Sequence, residues 1–128
     1  MKKWFGSAGI CVKEQKVLMV LQGKVDEPKR WSIPSGALLK GETFEECCIR
    51  EVREETGYDI KIIRPLFKKE TEYVEVQYFE FAIIGGSEEI KDPDNLIYDI
   101  AWKSIEEINK LDLSFPEDRN LLIHWLGL

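Results

Sequence analysis

The sequence predicts a single α+β domain in which a mixed β-sheet carries helices packed on its faces. Three observations point there. Runs rich in β-branched and aromatic residues recur at 4–12, 17–22, 58–67, 73–84 and 97–103 and read as strands. Three helical patterns are interspersed with hairpin-like strand pairs instead of alternating strictly with single strands, which argues against a doubly wound sheet. A chain of 128 residues, 44% apolar and 33% charged, without repeats or low-complexity tracts, fits one domain over residues 1–128.

The elements follow in order. The start, MKKWFGSAGICV, pairs two lysines with an apolar run as a short secretory leader does. The run is brief and leads directly towards VLMVLQ, so a strand is expected instead. The polar KEQK joins these two strands. Residues 23–36, with Gly23, Pro28, Pro34 and Gly36, read as a loop. Thr43 followed by Glu46 forms a capping-box pattern, and Gly57 is a stop signal, so a helix is expected from 43 to 56. Two strands follow, then the polar loop GGSEEIKDPDN, then IYDIAWK as a further strand. Ser104 and Glu107 cap a short helix to about Leu111. Pro116 opens a last helix that ends near Gly127.

Composition narrows the function. A net charge of -6 argues against a broad surface for a nucleic-acid polymer or an anionic membrane, because such surfaces need clustered lysine and arginine. It is compatible with a small anionic substrate held through metal ions. No stretch is long enough to span a membrane. Cys11, Cys47 and Cys48 are odd in number and form no CxxC pair, so a reduced, cytoplasmic setting is expected.

REVREE, 50–55, carries the chemistry. At about 100° per residue, Glu51, Glu54 and Glu55 fall within an arc of roughly 100°. Phe44, Cys47 and Cys48 project onto nearly the same arc, while Glu46, Arg50 and Arg53 lie on the other side. The glutamates therefore extend the apolar stripe. At about 5–6 Å and an effective dielectric near 20, each close pair costs on the order of 3 kcal/mol. Either the carboxylates reach water, or one is protonated, or a cation sits among them. Hard oxygen ligands of this kind suit Mg²⁺ or Mn²⁺. A solvated acidic helix end, with Arg50 and Glu54 as a surface pair, is the plainer reading of REVREE alone. The preceding loop, WSIPSGALLKGE, shifts the balance. It delivers Gly36, where backbone can approach a ligand closely, and then Glu42.

The stretch GALLKGETFEECCIREVREETGY, 36–58, resembles the signature of the Nudix hydrolases, G-x5-E-x7-R-E-U-x-E-E-x-G-U, where U is a bulky apolar residue. Gly36, Glu42, Arg50, Glu51, Val52, Glu54, Glu55 and Gly57 match; Tyr58 stands at the last U. Ser35-Gly36 stands where many members have Gly-Gly. The resemblance implies an α/β/α sandwich and a Mg²⁺-dependent pyrophosphohydrolase, with Mn²⁺ able to substitute. Its substrate would be a nucleoside diphosphate linked to another group: a canonical or modified nucleoside triphosphate, or a nucleotide sugar. It assigns metal binding or water activation to Glu51, Glu54 and Glu55, and orientation of a glutamate to Arg50. The Ser35 carbonyl and Gly36 would complete the metal site. Gly36, Glu42 and Gly57 would shape the motif. Glu51 or Glu54 is the expected general base. A non-catalytic Nudix-like module that senses a nucleotide is the alternative. The expected partner is a small nucleotide, with the chain a monomer or a homodimer paired through edge strands.

Residues outside the motif carry weaker signals. Arg30, Trp31 and Lys40 are candidates for substrate contact; solvated loop charge and packing beneath the loop are the competing readings for Arg30 and Trp31. Several family members place another acid in a late loop. Counted back from Trp102, that position holds Leu96. Asp92 or Asp94 stands in for it, or DPDN is only a turn, which is the preferred reading. Tyr73 and Tyr78 read as ordinary strand aromatics, and His124 as a packed or solvent-touching helix residue.

Overall fold

The structure is a computed structural model and describes residues 2–127. Its strands are β1 (Trp4–Ile10), β2 (Val12–Lys13), β3 (Lys16–Gln22), β4 (Arg30–Ser32), β5 (Ser35–Ala37), β6 (Tyr58–Glu70), β7 (Val74–Gly86) and β8 (Ile97–Lys103). Its helices are α1 (Phe44–Thr56), α2 (Ile105–Lys110) and α3 (Asp118–Leu126).

The strands form two sheets, where one mixed sheet was expected. The mixed sheet has the order β5-β1-β7-β6, with β1 parallel to β7 and the other pairs antiparallel. The second is wholly antiparallel and centres on β3, which pairs with β2, β4 and β8. The first predicted strand, 4–12, is split for this reason. It leaves the mixed sheet after Ile10 and joins the second at Val12. The KEQK hairpin then turns on Glu14 and Gln15, both at positive φ, as a two-residue turn matched to strand twist requires.

The predicted loop 23–36 holds β4 and reaches into β5. Both are too short for a periodic signal, and Pro34 between them breaks the pattern. The long antiparallel pair β6 and β7 runs beyond its predicted limits at both strands' far ends. Pro65 is tolerated there because β6 is an edge strand and its register shifts between Pro65 and Phe67. The last helix starts at Asp118, two residues after Pro116, which lies in the turn before it.

Alternation along the strands builds two cores. On β3, Val17 and Met19 face α2 and α3 with Ile108 and Leu122, while Leu18 faces α1 with Cys48 and Val52. On β7, Tyr78 joins the first cluster and Phe79 and Phe81 the second. Buried on both faces, β3 is apolar without interruption from Val17 to Leu21. Helices thus cover both sides of the strand layer, as the α/β/α expectation requires. No helix among the described residues is long and apolar enough to cross a membrane.

Candidate active site

Helix α1 is fixed at both ends. Thr43 Oγ1 accepts from the Glu46 N–H at 3.1 Å, and Glu46 Oε1 accepts from the Thr43 N–H at 2.9 Å. Gly57 ends the helix at φ 83°, a left-handed conformation, with its N–H donating to the Arg53 carbonyl. The loop after β7 then docks on this end. Glu89 N–H donates to the Thr56 carbonyl at 2.8 Å, and Lys91 N–H to the Glu54 carbonyl at 2.7 Å. Carbonyls left free by the helix terminus are thereby satisfied, and Asp92 is carried over the glutamates.

Arg50 organises the polar cluster. Its Nε donates to Glu42 Oε2 at 2.7 Å and its Nη2 to Glu42 Oε1 at 2.9 Å. Nη1 donates to Glu51 Oε1 at 2.7 Å and to Glu54 Oε2 at 3.2 Å. Nη2 also reaches the Ala37 carbonyl at 2.9 Å. Glu42 accepts a further bond from the Leu39 N–H. The bidentate pairing with Arg50 holds the Glu42 carboxyl below the usual carboxylate range. The Arg50 guanidinium is raised in turn, chiefly by Glu42.

Glu55 is the least accessible of the acids, at 5% exposure. Burial, then its contact with the Glu51 carboxylate, pushes it well above the usual carboxylate range. Glu54 is raised too, first by burial and then by Glu51. β5 is the free edge of its sheet. Alternation places the backbone groups of Ser35 and Ala37 on that edge, and the Ser35 N–H donates to Glu55 Oε1 at 3.3 Å. The Ser35 carbonyl shares this edge. The Gly36 carbonyl points the other way, towards β1, where it also accepts from Cys47 Sγ at 3.5 Å. A Cβ at Gly36 would run into the Glu51 carboxylate, so glycine makes the room in which that acid lies.

These groups line a cavity of about 490 Å³ with Trp4, Gln22, Asp92, Asp94, Leu96 and Phe115. Of the predicted site residues, Ser35, Gly36, Arg50, Glu51, Glu54 and Glu55 meet there. Glu42 anchors Arg50, and Gly57 ends α1. Arg30, Trp31 and Lys40 do not line this cavity. Arg30 pairs with Asp112 at 3.3 Å and borders an adjoining space of about 300 Å³. Trp31 packs against the core beneath Lys103, whose Nζ lies 4.2 Å from the ring. Lys40 is exposed on the turn before α1. Asp92 is both turn former and cavity wall: Oδ2 accepts from the Leu96 and Ile97 N–H groups, and Oδ1 from that of Asp94. Leu96 presents an apolar surface to the cavity.

The donor set fits a hard divalent cation. It consists of carboxylate oxygens, two of them pressed together, beside a backbone carbonyl edge. Among the described residues no three acids already converge as a ligand group, because Arg50 holds Glu51 and Glu54.

A family model described as NUDIX domain matches residues 4–126. This chain belongs to the Nudix family. MutT4 of Mycobacterium tuberculosis is 32% identical over 123 residues, 88% of this chain and 48% of that protein. The nucleoside triphosphatase NudI of Enterobacter sp. is 30% identical over 100 residues, 68% of this chain and 70% of that protein. A solved Nudix hydrolase from Nitrosomonas europaea superposes with a TM-score of 0.80 at 22% identity, covering 97% of this chain and 90% of that one. The chain spans 31%, 48% and 35% of the length of three curated relatives it matches. As a Nudix chain, it places its signature on α1 and the β5 edge. Asp118 and Phe115, which the sequence did not single out, lie close by, with Tyr78, which was read as an ordinary strand aromatic. A usable signal existed for Asp118: it stands at i, i+4 and i+8 with the buried Leu122 and Leu126.

Proposed function

We propose that this protein is a divalent-metal-dependent pyrophosphohydrolase of small nucleoside diphosphate derivatives, nucleoside triphosphates or nucleotide sugars. The observation that carries the reading is the buried Glu55 carboxylate set beside the half-buried Glu51 carboxylate and against the β5 edge, at the wall of an open cavity. Two acids forced together in a partly enclosed site are stabilised by a cation. The residues that would hold Mg²⁺, or Mn²⁺ in its place, are Glu51, Glu54, Glu55 and the Ser35 carbonyl beside Gly36. When bound, the metal neutralises diphosphate charge and acidifies water.

The chain's own groups do the rest. Arg50, anchored by Glu42, fixes the Glu51 and Glu54 rotamers. Gly36 keeps the space beside Glu51 open. Glu54 lies more open to solvent than Glu51, its side chain 28% exposed against 14%, which suits it to meet attacking water and accept its proton. The net charge of -6 favours a free nucleotide over a nucleic-acid polymer. The name of the relative NudI supports a triphosphate.

The test is a panel of canonical and oxidised nucleoside triphosphates, nucleotide sugars, ADP-ribose, dinucleoside polyphosphates and a capped RNA, incubated with Mg²⁺. Released phosphate or pyrophosphate is measured. Turnover of a small nucleotide that EDTA removes, and that Glu55→Gln abolishes with the fold intact, is the expected result. Full activity in Glu55→Gln would sink the assignment. Binding without turnover across the panel would leave a nucleotide-sensing module.

A further inference from the structure

A separate cleft of about 350 Å³ opens where the two sheets meet around the β2–β3 hairpin. Lys13, Glu14 and Lys16 of that hairpin and Trp102 of β8 line it from the second sheet. Tyr58 of β6 and Ile83 of β7 line it from the mixed sheet. None of these residues borders the acidic cavity or the spaces of about 300 and 320 Å³ beside it.

The hairpin sets two cations against each other. Lys13 pairs directly with Lys16, and only Glu14 and Gln15, at φ 52° and 62°, lie between them. Residues directly opposed on antiparallel strands share a face, with Cβ atoms about 4.5–5.5 Å apart, and like charges so placed repel. Neither lysine is in ion-pair contact with a carboxylate among the described residues; Glu107, at the start of α2, pairs with Lys103 instead, at 3.7 Å. Glu14 brings one negative charge to the same rim, so two cations stand there against one anion on a chain of net charge -6.

Aromatic surface lies beside this charge. Trp102 and Tyr58 are half-buried and packed, with Ile83, against the core on the α1 side. The Tyr58 hydroxyl donates to Glu88 Oε2 at 3.0 Å, which fixes the ring. Two facing ammonium groups are best matched by a compact dianion such as a phosphate, which lysine binds as a point charge. Packed indole and phenol rings offer a surface on which any flat ring can lie. The volume falls in the range of small-molecule sites.

We propose that this cleft is a second ligand site, which binds a nucleoside monophosphate with its phosphate at Lys13 and Lys16 and its base against Trp102 and Tyr58. The site is distinct from the acidic cavity, needs no metal and stands independently of the catalytic reading.

The experiment titrates adenosine monophosphate into the whole chain in EDTA, followed by calorimetry and by tryptophan fluorescence. Inorganic phosphate and adenosine are titrated as the two halves of the ligand. Wild type is expected to bind the monophosphate saturably and about tenfold or more tighter than either half, the scale of one charge-assisted hydrogen bond. The double variant Lys13→Gln, Lys16→Gln is expected to lose about tenfold or more in affinity. Glu14→Gln is expected to bind about two- to fivefold tighter, the scale of one exposed charge. All three positions are exposed, so these variants leave the core alone. Trp102→Phe should remove most of the fluorescence response, and Glu55→Gln should bind as wild type does. No saturable binding by wild type would overturn the proposal, as would an affinity that ignores both the lysine pair and Glu14. Loss of binding in Glu55→Gln would place the ligand in the acidic cavity and overturn it too. Phosphate binding as tightly as the monophosphate would leave the aromatic wall no part and overturn it equally.

Discussion

Arg50 and Gly36 decide the geometry of the acids by opposite means. Arg50 ties Glu42, Glu51 and Glu54 to one planar group, and so fixes side chains that would otherwise repel one another. Gly36 acts by having no side chain. A methyl group there meets the Glu51 carboxylate, so Gly36→Ala is expected to lose most activity together with about 1–3 kcal/mol of stability from overpacking. Urea unfolding beside an activity assay checks this. A variant as stable and active as wild type would show that Glu51 does not need that space. At this scale the sequence was informative, because all three glutamates lie in the line of the apolar stripe. Asp118 follows the same rule on α3, with Leu122 and Leu126, but a single acid near a helix start also reads as a favourable dipole contact. Only the tertiary structure shows that Lys69 and Tyr78 hold it.

At the scale of elements, α1 positions the site because both of its ends are specified locally. Thr43 and Glu46 close the capping box, and the same device, Ser104 with Glu107, starts α2. Thr43→Ala removes the first cap and is expected to cost about 0.5–2 kcal/mol. Turnover should persist, since the cap lies two turns or more from Glu51. Paired urea curves and rates test both parts; a large loss of rate with no loss of stability would contradict this division. These caps were legible because each depends on residues three apart in the chain. The β4 and β5 strands were not. Trp31 is ordered by Asp112 and Ser114, and β5 by β1, so their extended form depends on partners distant in sequence. The loop carrying Asp92 is likewise placed by the C-terminal carbonyls of α1.

For the whole molecule, the α/β/α layering puts the acidic helix face against one strand edge and leaves the cavity open beside it. A cation that binds this folded arrangement and not the unfolded chain must stabilise it. Saturating Mg²⁺ at about a hundredfold over its dissociation constant corresponds to about 2.7 kcal/mol. The thermal midpoint should therefore rise by several degrees with Mg²⁺, return with EDTA, and stay level in Glu55→Gln. Differential scanning fluorimetry over a Mg²⁺ series reads this without any substrate. A midpoint indifferent to Mg²⁺ would show that these acids do not form a metal site.

By itself the sequence determined the helices and their caps, the long strands, the motif spacing and the family, because each rests on residues near one another along the chain. The tertiary structure decided the division into two sheets at Cys11, the meeting of Ser35 with Glu55, and the docking of Asp92 over α1. It also brought Lys69 and Tyr78 to Asp118. The hydrogen bonds of Ser35 with Glu55 and of Lys69 with Asp118 join residues 20 and 49 positions apart. Local propensity carries no information about such pairs; they are set by which strands share a sheet and which faces the two cores bury.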